Sequence, residues 1–184
     1  MWRRPMSEDP RRGFTLIEVM VVIVILGLIA GFAVPQLARA ITQAKITRAV
    51  SDFRIIEGAA QRMFGDLGVY PAEGPWCVGA GFVNLTDVPA AYQSSWKGPY
   101  LKRWPLQHAF GGCVTYLQAR GCGFADSDGV VDNDSYVHFM DAGPFTDAIK
   151  QNIDRILDDG VLTTGVVRQC RGGLAYLLGE GPIW

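Results

Sequence analysis

Histidine is nearly missing from this chain, and the shortage removes whole classes of chemistry. Only His108 and His138 occur among 184 residues. They stand far apart, and a lone histidine in an apolar strand, as His138 is, is ordinarily a packed or surface residue. Ser94 and Ser95 have no base beside them. GxSxG, HExxH, the P-loop and the dinucleotide fingerprint are all absent, so no residue argues for an enzyme. No CxxC pair occurs, and neither histidine stands at ligand spacing from a cysteine, which weakens a zinc site. An excess of one charge is lacking as well. Seventeen Lys and Arg against 18 Asp and Glu give a net charge of −1, which offers no nucleic-acid footprint.

What is present begins with an apolar run. Residues 14–34, FTLIEVMVVIVILGLIAGFAV, contain one ionisable side chain, Glu18. At about 1.5 Å per residue a helix of this length crosses a hydrocarbon core about 30 Å thick. Arg11 and Arg12 put positive charge at its N-terminal edge and predict a cytoplasmic N-terminus with the remainder exported. Gly27 and Gly31 form a GxxxG step that permits close helix packing. A charged side chain in a span costs about 2.5–3.5 kcal/mol and calls for a partner. No Lys, Arg or His lies within the span. Cleavage between Gly13 and Phe14 would supply one, because the new α-amino group lies four residues from Glu18. Plainer readings stay open beside this one. They are a Sec signal with small residues at Gly31 and Ala33, a twin-arginine signal at Arg11-Arg12, and an ordinary anchor tolerating Glu18 near the interface.

After Pro35, a residue expected to kink the helix, the helical period resumes. Leu37, Ile41, Ala44, Val50, Phe53, Ile56, Ala60 and Met63 form an apolar stripe, with charges spread elsewhere. The helix is predicted over residues 14–64, stopped by Gly65 and Gly68, the first as its C-cap. The expected organisation is a leader at 1–13, a membrane or filament-core segment at 14–34, an amphipathic continuation at 35–65, and a globular domain at 66–184. Residues 69–91 are rich in Pro and Gly and read as loop, with a short helical turn at Leu85-Thr86. Strands are predicted at 113–118 and 136–140, a short amphipathic helix at 145–157, and a terminal hairpin at 166–170 and 174–178. The fold class is α+β, a long N-terminal helix lying on an antiparallel sheet of about four strands.

Cys77, Cys113, Cys122 and Cys170 all follow the span. An even count in an exported domain predicts two disulfides, and three connectivities are open. Short separation favours Cys113 with Cys122, leaving Cys77 with Cys170. Between the first two strands, Asp126, Asp128, Asp132 and Asp134 fall within nine residues. Such a flexible acidic loop suits Ca2+, although the spacing is not that of an EF-hand, and a solvated turn explains it equally well. No cofactor is otherwise required.

The run Arg11-Arg12-Gly13-Phe14-Thr15-Leu16-Ile17-Glu18-Val19 resembles the prepilin processing site of the type IV pilin and type II secretion pseudopilin superfamily. The resemblance implies a leader removed after Gly13 by a membrane aspartyl peptidase, which N-methylates Phe14. It also implies that Glu18 registers subunits and that the helix loosens near Pro35 in a filament. Tyr70-Pro71 followed by Trp96-Lys97-Gly98-Pro99-Tyr100-Leu101 is similar to the major pseudopilin pattern. The chain departs from that pattern at 106–112, where Gly111-Gly112 stand in for the usual aspartate-proline-tryptophan-glycine turn. The expected function is a structural subunit of a type IV pilus or a secretion pseudopilus. It would sit first in the bacterial inner membrane, with its C-terminal domain periplasmic, and then in a periplasmic or extracellular filament. Implied partners are the prepilin peptidase, a membrane platform protein, an assembly ATPase, and copies of itself or related pilins. A membrane-anchored or exported periplasmic enzyme or binding domain is the rival.

Overall fold

The computed structural model describes residues 13–74, 76–79, 81–118, 122, 124 and 134–184. The elements run α1 (Leu16–Leu67), a 3-10 turn (Leu85–Asp87), α2 (Ala90–Gln93), β1 (Val114–Gln118), β2 (Asp134–Phe139), α3 (Asp147–Leu157), β3 (Val167–Cys170) and β4 (Gly173–Glu180). The chain divides into two compact units, one ending at Thr42 and one from Gln43 to Trp184.

In the first unit α1 opens at a capping box. The Thr15 amide and hydroxyl donate to Glu18 Oε2 at 2.8 and 2.9 Å, and the Glu18 amide donates back to Thr15 Oγ1 at 3.3 Å. Helical structure then passes Pro35 without a break. Its apolar window has a mean hydropathy of 2.8 and none of it is buried within the chain.

In the second unit the buried face of α1 is Ile46, Ala49, Val50, Phe53, Ile56, Ala59, Ala60 and Met63. Spacings of three and four place these on one side, as expected, but the stripe starts later than its period suggests. Leu37, Ile41 and Ala44 are exposed. The helix also continues past Gly65 to Leu67. Gly68, with φ of 69°, ends it and donates to the Phe64 carbonyl at 2.7 Å. Gly65 is not the cap because the left-handed conformation that closes a helix falls three residues later.

The sheet has four antiparallel strands in the order β1-β2-β4-β3. Side chains alternate between faces. The rows Val114–Phe139–Leu174 and Tyr116–Val137–Tyr176 join the α1 residues in the main core, while Leu117, Tyr136 and Ala175 form a smaller cluster with Phe124 and Cys170. Phe53 stacks on Phe139 with centroids 3.9 Å apart. The terminal hairpin is present as expected, turning at Arg171-Gly172. The replaced turn also works: Gly111 donates to the His108 carbonyl and His108 to the Gly112 carbonyl, both at 2.9 Å.

Both histidines are core residues. His108 stacks on Phe139 at 4.9 Å, shares its Nε2 proton with the Met140 carbonyl at 2.9 Å and accepts the Phe110 amide on Nδ1. His138 points Nε2 at the Cys170 carbonyl at 3.0 Å. Burial, above all, pushes both below the usual histidine range, so the native state keeps them neutral. Below about pH 6.5 the unfolded chain takes up protons that the native chain refuses, and stability falls as pH falls. Between pH 7 and 6 the unfolding free energy should drop by about 0.7 kcal/mol per histidine, and the slope approaches about 1.4 kcal/mol per pH unit only below that window. Denaturant titrations across that window check this; a flat profile sinks it.

Candidate processing and assembly site

The candidate scissile bond, Gly13–Phe14, precedes the helix by two residues, and Phe14 is 88 % exposed. Thr15 and Glu18 form the capping box directly after it. Thr15 satisfies the Glu18 carboxylate locally while the chain is uncut, a role hidden in the sequence behind the longer motif. Every residue from 14 to 34 is exposed. A Cβ built on Gly27 or Gly31 meets nothing within 4 Å. Among the described residues those two glycines have no packing partner. Pro35 lies within α1 and lacks the N–H that would reach back one turn.

The cysteines pair as Cys77–Cys113 and Cys122–Cys170, with Cα separations of 5.5 and 5.1 Å. The favoured pairing of Cys113 with Cys122 is thus corrected. Cys113 enters β1 and Cys122 lies beyond its exit. A five-residue strand spans about 17 Å, well past the reach of a disulfide. Instead Cys77 lies against the entry of β1, its amide on Thr115 Oγ1 at 3.2 Å. Cys170 ends β3 beside the smaller core cluster.

The Trp96–Leu101 run has a role that residue pattern alone does not reveal, namely tying a loop to the C-terminal end of α1. The Tyr100 hydroxyl donates to Asp66 Oδ2 at 3.0 Å, and Lys97 Nζ pairs with Asp66 Oδ1 at 3.0 Å. Arg62 donates to the Tyr100 carbonyl at 3.0 Å, and Trp96 Nε1 to the Gly81 carbonyl at 3.1 Å. The Lys97 hydrogen bond, followed by that of Tyr100, holds the Asp66 acid below the usual carboxylate range. Of the acidic loop, Asp126, Asp128 and Asp132 lie outside the described residues. Asp134 opens β2 and is buried.

The model for the prokaryotic N-terminal methylation motif matches residues 9–34. The chain is 36 % identical over 104 residues to type II secretion system core protein G of Pseudomonas aeruginosa, covering 55 % of this chain and 70 % of that protein. Against the core protein G of Vibrio cholerae the identity is 35 % over 114 residues, 62 % of this chain and 75 % of the relative. The chain belongs to the type IV pilin and type II secretion pseudopilin superfamily. Fimbrial protein EcpC of Eikenella corrodens is 33 % identical over 91 residues, 47 % of this chain and 60 % of its own length. No solved structure matches. This pilin-like chain is accordingly a structural filament subunit and not an enzyme. Its processing motif and apolar N-terminal helix fit a membrane-anchored pseudopilin.

Proposed function

We propose that the chain is a pseudopilus subunit of a type II secretion system, cut after Gly13, methylated at Phe14, and polymerised through residues 14–34. One observation carries this reading. The apolar side chains of that segment, from Ile25 at 50 % to Phe14 at 88 % exposed, find no cover among the described residues. In the membrane lipid covers them, and in the filament the same segments of sister subunits do. Before assembly the N-terminus faces the cytoplasm, by the arginine asymmetry, and the domain from Gln43 onward lies in the periplasm. The prepilin peptidase, a membrane platform protein and an assembly ATPase are its machinery.

A surface pilus is the second reading, favoured by the likeness to the fimbrial protein. The longer alignments to core protein G, 104 and 114 residues against 91, favour the secretion filament. Mass spectrometry of protein from its native membrane tests the processing step. The expected mature N-terminus is Phe14 carrying one additional methyl group; a chain retaining its first thirteen residues overturns the proposal.

A further inference from the structure

We propose that the Cys77–Cys113 disulfide is a thiol-exchange site, at which a small anionic peptide thiol of the glutathione class bonds to Cys77 and releases Cys113. The bridge lines a cleft of about 780 Å3 in the domain from Gln43 onward, where residues 101–107 face α1. A space of this order admits a molecule of tripeptide size. Both cysteines are half-buried, and Cys77 stands between Trp76 and Val78, which are 55 % and 42 % exposed. The second bridge is set deeper. Its Cys170 is buried, and Cys122 packs with it against the smaller core cluster.

The charge of the cleft selects the thiol. Arg48 and Arg103 line it with a single acid, Asp52. Asp52 faces Arg48 at 3.9 Å, whereas Arg103 is exposed and has no acid at ion-pair distance among the described residues. Two guanidiniums against one carboxylate leave the cleft positive. Such a field draws in an anionic thiolate and stabilises the thiolate that departs.

Thr115 decides which sulfur is attacked. Its Oγ1 accepts the Cys77 amide at 3.2 Å and lies 3.5 Å from Cys113 Sγ. A bridged sulfur carries no proton, so the Thr115 hydroxyl is the donor in that second contact. Thr115 is fully buried, which keeps the donor out of water. It favours negative charge on Cys113, and the sulfur that carries charge more readily is the one that leaves. Cys77 is therefore the sulfur attacked. Its backbone agrees, because a φ of 66° is a left-handed conformation that a cysteine keeps only while its surroundings hold it there. Gly79 completes the path by packing on Trp104, where a Cβ would fall 2.0 Å from the ring.

In the exchange the glutathione thiolate bonds to Cys77 Sγ, the Cys77–Cys113 bond breaks, and its electron pair leaves on Cys113 Sγ. Cys113 then takes a proton from solvent and, as a thiol, can donate to the Val114 carbonyl at 3.7 Å. A second glutathione attacks the glutathione sulfur of the adduct and frees Cys77. Two glutathiones are thereby oxidised to their disulfide as the bridge is reduced, and the reverse sequence closes it. In an oxidising compartment the bridge rests closed. Opening it unties the segment after α1 from the entry of β1. The step needs only the folded domain, so it stands or falls apart from the filament reading.

The test treats the full folded chain in detergent with glutathione, quenches in acid at intervals, blocks free thiols and maps the peptides by mass spectrometry. The adduct should appear on Cys77 with Cys113 free, at least about tenfold faster than Cys122–Cys170 opens. Arg103→Gln should slow glutathione by about threefold or more while leaving glutathione diethyl ester, whose carboxylates are masked, within about twofold. Four outcomes each overturn the proposal: an adduct on Cys113, equal or faster opening of Cys122–Cys170, a folded chain that does not react, or an equal effect of Arg103→Gln on the two thiols. Should Arg103→Gln fail to fold, salt decides on the native chain. A glutathione rate that falls relative to the ester towards about 1 M salt supports the cationic cleft, and an unchanged ratio ends it.

Discussion

Glu18→Ala is expected to leave leader removal intact and to reduce filament yield by a factor of a hundred or more. In the uncut chain the Glu18 carboxylate is engaged by Thr15, through its amide at 2.8 Å and its hydroxyl at 2.9 Å. Cleavage after Gly13 creates a positive α-amino group on Phe14, four residues away, which a Glu18 on a neighbouring subunit can meet. At 4 Å such a pair is worth roughly 4 kcal/mol at an effective dielectric of 20, or about three decades in an association constant. Losing the acid also makes the segment easier to keep in lipid, by up to about 3 kcal/mol, which opposes extraction into a filament. Both effects point the same way. Glu18→Gln separates charge from capping, since glutamine serves in a capping box. If the pair with the amine drives assembly, Gln fails as Ala does while both variants are processed. Mass spectrometry reads the processing, and pelleting with electron microscopy reads the filaments. Normal filaments from either variant would remove the registration role.

The expected results rest on features that were legible in the sequence to very different degrees. The apolar run, Glu18 and the glycine-phenylalanine junction are local, so composition and order suffice to find them. The strands and α3 were equally readable, because alternation and the 3.6 period report burial directly. Leu37, Ile41 and Ala44 show the limit of that signal. They continue the period of the buried face yet are exposed, since a period says that one side is apolar and not what covers it. The disulfides failed for a related reason. Sequence distance favoured Cys113 with Cys122, but the extended strand between them holds the two sulfurs apart, and pairing follows sheet geometry instead. Asp154 was invisible for the opposite reason. It occupies a polar position in an amphipathic helix and is nevertheless sealed from solvent, which only the folded chain shows.

Phe53→Ala is expected to destabilise the domain from Gln43 to Trp184 by about 3–5 kcal/mol, a large share of the 5–15 kcal/mol typical of a whole domain. Phe53 is fully buried on α1, stacked on Phe139 at 3.9 Å and tilted against Tyr176 at 5.4 Å. It therefore touches both of the central strands, β2 and β4, that carry the core rows. Truncation removes the apolar contact and leaves a cavity between helix and sheet that neither element can close by moving alone. The two ring contacts add about 0.5–1.5 kcal/mol each beyond burial. For a domain of this size the midpoint should fall by about 10 °C. Leu37→Ala is the matched control. It belongs to the same apolar period on the same helix but is 62 % exposed, so its substitution should change stability by less than about 0.5 kcal/mol. Calorimetry in detergent, with resistance to limited proteolysis as a second readout, compares the two. Equal losses would mean that α1 is packed as far back as residue 37 and that the core does not begin at Ile46. A small loss at Phe53 would instead mean that the helix does not rest on the sheet through this ring.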